Sequence, residues 1–314
     1  MFQAQLLLQK PLVMMEGALG ERLKREYGID TMGRQYMAGL VRKPEGRAAL
    51  RAIWQSYIDV AARYGLPFIA TTPTRRMNRI TLPQAGLDEQ ILYENVAFLR
   101  EVRDAAGIDM LAGGMMGCFG NAFTAEGCLT EADAYALHRW AAEHYRCAGA
   151  DFLFAALIPT LAEALGISRA MAETGLPYLL SFTLQGDGRL IGSTTIADAV
   201  AAVEDAVFPA PVLYMTNCVH PQIVYEALSQ PFNRTDAVHT RFRGLQANTS
   251  ALPYSVLDAS PVLYSSPPDE LAQGMAALQR DFGFTLFGGC CGTDHTHMAA
   301  MAAALTGEAA PATV

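Results

Sequence analysis

Residues 151–159 read Asp-Phe-Leu-Phe-Ala-Ala-Leu-Ile-Pro, an unbroken apolar run closed by a proline. A strand with one wet face alternates apolar and polar side chains, so a run of this kind belongs to a strand covered on both faces, as in a parallel sheet flanked by helices. Just upstream, Glu131 to Ala148 places Leu137, Trp140, His144 and Ala148 at helical spacing, and Gly149 stands where a helix ends in a left-handed residue. Helix, glycine and buried strand together make one α/β unit.

The unit recurs along the chain. Strand-like runs are PLVMMEG (11–17), PFIATTP (67–73), DMLAGGM (109–115), DFLFAALIP (151–159), PYLLSFTL (177–184), PVLYMTNC (211–218), FRGLQAN (242–248) and FTLFGGCC (284–291). Segments of helical period follow them, the clearest others being Asp88 to Ala106 and the Ala-rich Asp198 to Val207. Gly65, Gly107, Gly175, Pro211 and Gly283 precede strands as Gly149 does. Eight such pairs predict a closed (β/α)8 barrel, with an open doubly wound sheet as the alternative. No linker-like tract cuts the chain, so residues 1–314 are expected to form a single domain whose tail frays from about 306.

Composition narrows the function classes. With 51% hydrophobic and 17% charged residues over 314 positions, the chain is not a disordered one. At this length a fold buries roughly 75% of the surface its unfolded chain exposes, enough for a core without disulfide staples. The formal net charge of -8, from 23 Lys+Arg against 31 Asp+Glu, gives no general attraction to phosphate backbones, so nucleic acid is not an expected partner. No uncharged apolar run reaches the roughly 18 residues of a membrane span, and the glutamines and Lys10 among residues 1–13 do not form a secretion signal. A cytoplasmic setting is expected, where thiols stay reduced and six cysteines serve metals or catalysis rather than disulfides.

In a (β/α)8 barrel the chemistry gathers where strands end. The sixth strand ends in Thr216-Asn217-Cys218 and the eighth in Gly288-Gly289-Cys290-Cys291-Gly292, which puts three sulfurs on one face. Successive strand residues point to opposite sides, so Cys290 and Cys291 converge only if the backbone leaves strand geometry, a departure that Gly288, Gly289 and Gly292 permit. Three thiolates with a fourth position open is the layout of a catalytic Zn2+. Cys118 and Cys128, after the third strand, read as packing or loop thiols, and Cys147 as a structural residue within a helix.

The stretches GGCCGTDHTHM (288–298), TNCVHPQIV (216–224), MEGALGERL (15–23) and SFTLQGDGRLIGSTTIADAV (181–200) resemble the homocysteine S-methyltransferase family, over essentially the whole chain. The resemblance implies a zinc-bearing barrel in which Cys218, Cys290 and Cys291 match the metal ligands and a thiol substrate supplies the next one. Metal binding would deprotonate that thiol, which free in water is only a few per cent thiolate at neutral pH. The expected partners are a small-molecule thiol acceptor and a small-molecule methyl donor. No attached cobalamin or folate module is expected, and the oligomeric state is left open.

Three departures bear on the acceptor. The family's Asp-Gly pair after the first strand is Glu16-Gly17 here, which keeps the charge on a longer arm that would hold an amino group. The family's Phe-Glu-Thr-Ile-Pro is Ala155-Ala156-Leu157-Ile158-Pro159, so the second ammonium-binding carboxylate is missing. Thr-Asn-Thr-Tyr becomes Thr72-Pro73-Thr74-Arg75-Arg76, adding cations at the mouth. Losing an acid and gaining bases points to an acceptor or donor with a carboxylate and no ammonium. Asn248 matches a family asparagine near the metal or substrate, and Asn217 is expected to bind substrate or support the metal shell. His295 and His297 read as helix caps rather than ligands. The competing reading is a zinc barrel that binds thiols without methyl transfer, motivated by Ala156; zinc hydrolysis would need Asp294 or Glu16 as its base.

Overall fold

The computed structural model describes residues 2–30, 37–252, 256 and 264–308. Eight strands, β1 (Val13–Met15), β2 (Phe68–Thr71), β3 (Met110–Gly117), β4 (Phe152–Ile158), β5 (Tyr178–Phe182), β6 (Leu213–Val219), β7 (Phe242–Ala247) and β8 (Leu286–Gly289), close into a barrel in chain order. Every neighbouring pair is parallel, and Val13 opposite Leu286 with Met14 opposite Phe287 closes the ring. The helices are α1 (Phe2–Leu8), α2 (Gly20–Tyr27), α3 (Pro44–Arg63), α4 (Thr81–Gln84), α5 (Gln90–Ala105), α6 (Glu131–Ala148), α7 (Leu161–Ala172), α8 (Ile196–Ala206), α9 (Pro221–Ser229), α10 (Asp236–Arg241), α11 (Pro268–Phe282) and α12 (His295–Thr306). The closed barrel expected from the eight apolar runs is therefore present, and the doubly wound alternative is not. Residues 309–314 of the expected frayed tail lie outside the described residues.

Local chemistry accounts for the alternation. Thr130, Thr160 and Thr195 accept hydrogen bonds from backbone N–H groups of the first turns of α6, α7 and α8, satisfying donors that the helix itself leaves orphaned. At the other end, Gly65, Gly107, Gly149, Gly175 and Gly283 take φ of 61°, 69°, 82°, 72° and 67°, and the chain turns back into a strand.

Two cores result. Strand residues of one parity, among them Val13, Met15, Ile69, Leu111, Phe152, Phe154, Ala156, Leu179, Leu213, Met215 and Leu286, fill the barrel interior together with Ala4, Leu7 and Leu8 of α1, which close its N-terminal end. The other parity packs outward on the helices, with Trp54, Tyr57, Phe98, Tyr145 and Tyr214 among the largest buried side chains. At the C-terminal end the inward series turns polar or small, through Ser181, Asn217, Gln246 and Gly288, and there the interior opens into a mouth.

Candidate metal centre

Cys218, Cys290 and Cys291 come together at this mouth, with their sulfur atoms all within 4.8 Å of one another. Cys218 Sγ is 3.5 Å from Cys291 Sγ. Cys218 and Cys290, with Cα atoms 5.4 Å apart, are joined as a disulfide. Among the described residues this is the one group of three or more His, Cys, Asp or Glu side chains close enough to hold a metal ion.

The adjacent pair converges through the turn after β8. Cys290 N–H donates to Ala247 O (2.7 Å) on β7, and Thr293 N–H and Oγ1 both return to Cys290 O (3.2 and 2.7 Å), tightening a turn in which Gly292 has φ +83°. Gly292 N–H donates to Glu21 Oε2 at 2.5 Å, and Cys291 O accepts from Thr249 N–H at 3.1 Å. Gly288 and Gly289 contribute closeness rather than unusual dihedrals: a Cβ on Gly288 would stand 2.9 Å from Glu16 O, and one on Gly289 would collide with Thr293. Cys218 reaches the group from β6 by adopting φ +62°, rare for a residue with a side chain.

Electrostatics at the mouth is set by few groups. Desolvation and the Glu21 carboxylate push the Cys291 thiol up to about 11, with the Arg75 guanidinium opposing them. Arg75 is half-buried and its stem crosses the end of β3, where a Cβ on Gly117 would lie 2.5 Å from Arg75 Cγ and 3.2 Å from Ala156 O. Its charge also acts on the buried Cys118. Arg75 thus borders Gly117 at the end of β3, which pairs with Ala156 on β4, while Arg76 is exposed.

The remaining expected residues fall into different surroundings. Glu16 is 2% exposed, and its carboxyl accepts from Trp54 Nε1 (2.5 Å), Thr71 N (2.9 Å) and Thr71 Oγ1 (2.5 Å). Gly17 is a packing position, since a Cβ there would lie 2.6 Å from the Tyr57 ring. Asn217 Oδ1 accepts from Leu157 N–H at 3.1 Å and Ser181 Oγ at 2.5 Å. Asn248 sits one residue past the Ala247–Gly289 pairing, and its Oδ1 accepts from Ser250 N–H at 3.1 Å, the turn role open to an asparagine there. His297 joins Asp294 in capping α12, with Nδ1 2.9 Å from Asp294 Oδ1. Cys147 lies in α6 but is exposed, so it is not a core thiol. Glu21, Thr249, Thr293 and Ser181 were not singled out in the sequence; each acts through hydrogen bonds between distant segments, which leave no spacing to read.

Three cysteine sulfurs, two of them joined as a disulfide, make this a (β/α)8 barrel whose C-terminal mouth is built on sulfur. The chain belongs to the homocysteine S-methyltransferase family, whose sequence profile matches residues 13–305. The chain is 32% identical over 151 residues, 48% of its length, to a methionine synthase of Mycobacterium leprae, and 31% identical over 151 residues to that of Mycobacterium tuberculosis. The aligned part is 12% of the length of each of those relatives. In fold it is similar to the homocysteine methyltransferase MmuM from Escherichia coli. The metallated form superposes with a TM-score of 0.71 at 23% identity, covering 95% of this chain and 98% of that one. The oxidized form gives 0.73 at 22% identity, with the same coverage. Among the described residues no helix is long and apolar enough to cross a membrane.

Proposed function

We propose that Cys218, Cys290 and Cys291 hold one zinc ion and that the methyl acceptor is a small thiol bearing a carboxylate. The donor set supports the metal: three sulfurs from two strand ends, within 4.8 Å, with no histidine or carboxylate in the group. Two sulfurs near enough to pair as a disulfide when oxidised are near enough to share an ion when reduced. The E. coli relative has been solved in a metallated and in an oxidized form, which supports a metal-binding and redox-sensitive reading of the cluster. Bound there, zinc supplies an acid site that takes up a thiol sulfur as thiolate. The chain's own residues orient the reactants: Glu21 and Thr249 fix the turn carrying Cys290 and Cys291, and Arg75 meets the acceptor's carboxylate. In-line approach of a small-molecule donor's methyl group then depends on positioning. Because the site works with reduced thiols, the cytoplasm is its expected compartment.

The observation that carries the acceptor class is the placement of Arg75 over Gly117 and Ala156. The test is metal analysis of the reduced protein, then a panel of thiols crossed with a panel of methyl donors and read by mass. About one zinc per chain is expected, lost in Cys218→Ser. Arg75→Ala should weaken the carboxylated acceptor by about 10- to 150-fold, the equivalent of one charge-assisted bond of roughly 1.5–3 kcal/mol. Ala156→Glu should move preference toward homocysteine. Wild-type methylation of homocysteine at least as fast as of its deaminated analogue, with Arg75→Ala neutral, would overturn the acceptor assignment.

A further inference from the structure

We propose that Ser181 and Asn217 are positioning residues that hold Cys218 in the backbone conformation by which its sulfur joins the cluster. The inference rests on the metal role proposed for that cluster. Along β6, Leu213 and Met215 belong to the barrel interior and Tyr214 to the outer core, so Asn217 continues the inward series and Cys218 has outward parity. An uninterrupted strand would send the Cys218 side chain toward the helices. Instead Cys218 takes φ +62°, and the β6–β7 register slips between Asn217 and Val219.

A left-handed residue with a side chain is unfavourable and persists where its surroundings over-determine it. The restraint is on the preceding residue. Asn217 Oδ1 takes two donors, Leu157 N–H (3.1 Å) from β4 and Ser181 Oγ (2.5 Å) from β5. Leu157 is itself left-handed, φ +57°, at the slip in the β4–β5 register between Ala155 and Ile158. One buried oxygen therefore ties two irregular strand ends, β4 and β6, across β5. Ser181 is 0% and Asn217 5% exposed, so no water replaces a lost donor cheaply. Beyond Cys218 the chain is held again, by Asn248 N–H on Val219 O (3.1 Å) and by His220 capping α9. Cys218 is the hinge between two fixed points, and its sulfur direction follows from the first.

Reduced wild-type protein, Ser181→Ala, Ser181→Thr, Asn217→Ala and, as a control on the far end of the barrel, Leu8→Ala are compared by three measurements. These are zinc affinity by chelator competition, the thiolate-to-cobalt absorption of the Co2+ form, and the rate at which the Cys218–Cys290 disulfide forms in mild oxidant without metal. Ser181→Ala and Asn217→Ala are expected to lose about 10- to 100-fold in zinc affinity, the range for groups that orient a ligand. Both should show weakened cobalt–thiolate absorption and slower disulfide formation. Ser181→Thr, which keeps the hydroxyl, should restore all three, and Leu8→Ala should lower the melting temperature alone. Wild-type affinity, cobalt spectrum and disulfide rate in both alanine variants would overturn the proposal. Absence of metal uptake by wild type, with disulfide formation still slowed in the variants, would sink the zinc reading and leave the clamp standing.

Discussion

Glu16 carries a charge problem that its hydrogen bonds only partly solve. Burial pushes its carboxyl up to about 7, against the pull of Thr71 and Trp54, which donate to it. An acid whose pKa is higher in the folded state binds its proton more tightly there. The resulting stability is fully present below the unfolded value near 4.5, and is lost as pH rises toward about 7. Urea unfolding of the reduced, metal-free protein should therefore show stability falling by about 3 kcal/mol between pH 4.5 and pH 7.5, from 1.36 kcal/mol for each pKa step. Glu16→Gln should flatten that slope. It should also cost stability at low pH, because an amide NH2 must then face an indole or backbone N–H. A slope unchanged in Glu16→Gln would assign the pH dependence to another group. The sequence shows an acid next to Gly17 and suggests an arm for a substrate's amino group. It does not show Trp54, which meets that arm only because α3 packs against β1 and β2.

Elements are where sequence and structure agree best, and where the exceptions are informative. The eight apolar runs are all strands, and Glu131–Ala148 is a helix with the bounds its periodicity predicts, because buried parallel strands and capped helices each rest on local patterns. Strand ends are less legible. Leu157 and Cys218 depart from strand geometry beside Asn217, whose Oδ1 is bonded by Leu157, 60 residues away, and Ser181, 36 residues away, and no local pattern announces them. The three cysteines were legible because adjacency and flanking glycines are unusual on any strand. Gly117, which closes β3, tests the Arg75 assignment from the opposite side. A methyl there meets the flexible Arg75 Cγ at 2.5 Å and Ala156 O at 3.2 Å, so the guanidinium must shift while the backbone holds. Gly117→Ala should raise KM for a carboxylated acceptor by about 10-fold, one weakened charge-assisted bond, with zinc content unchanged. By contrast, Gly292→Ala needs φ +83° and collides with Thr249, so it should lose zinc outright and cost about 1–3 kcal/mol. Metal analysis and acceptor kinetics on the two variants separate the roles; zinc loss in Gly117→Ala would show that β3 supports the metal.

At the scale of the molecule, the barrel divides its two ends between stability and chemistry. The C-terminal end is polar, strained at Leu157 and Cys218, and gathers the thiols. The N-terminal end is dry, with Leu7 (8% exposed), Leu8 (2%) and Ala4 (5%) of α1 set against Val13, Ile69, Leu111, Phe152, Leu179 and Leu213. The interior layers between them are close-packed, so a change at one end reaches the other only by shifting whole strands. Leu8→Ala removes a buried side chain and leaves a cavity that α1 cannot refill without losing its seat on the strand starts. A loss of about 2–5 kcal/mol is expected in urea unfolding, typical of a core leucine truncation. Zinc affinity, the cobalt–thiolate spectrum and acceptor KM should stay within about 2-fold of wild type, since distant sites act nearly independently. A matching fall in zinc affinity would mean that the seal on the N-terminal end sets the strand positions at the mouth, and that the two ends are mechanically one.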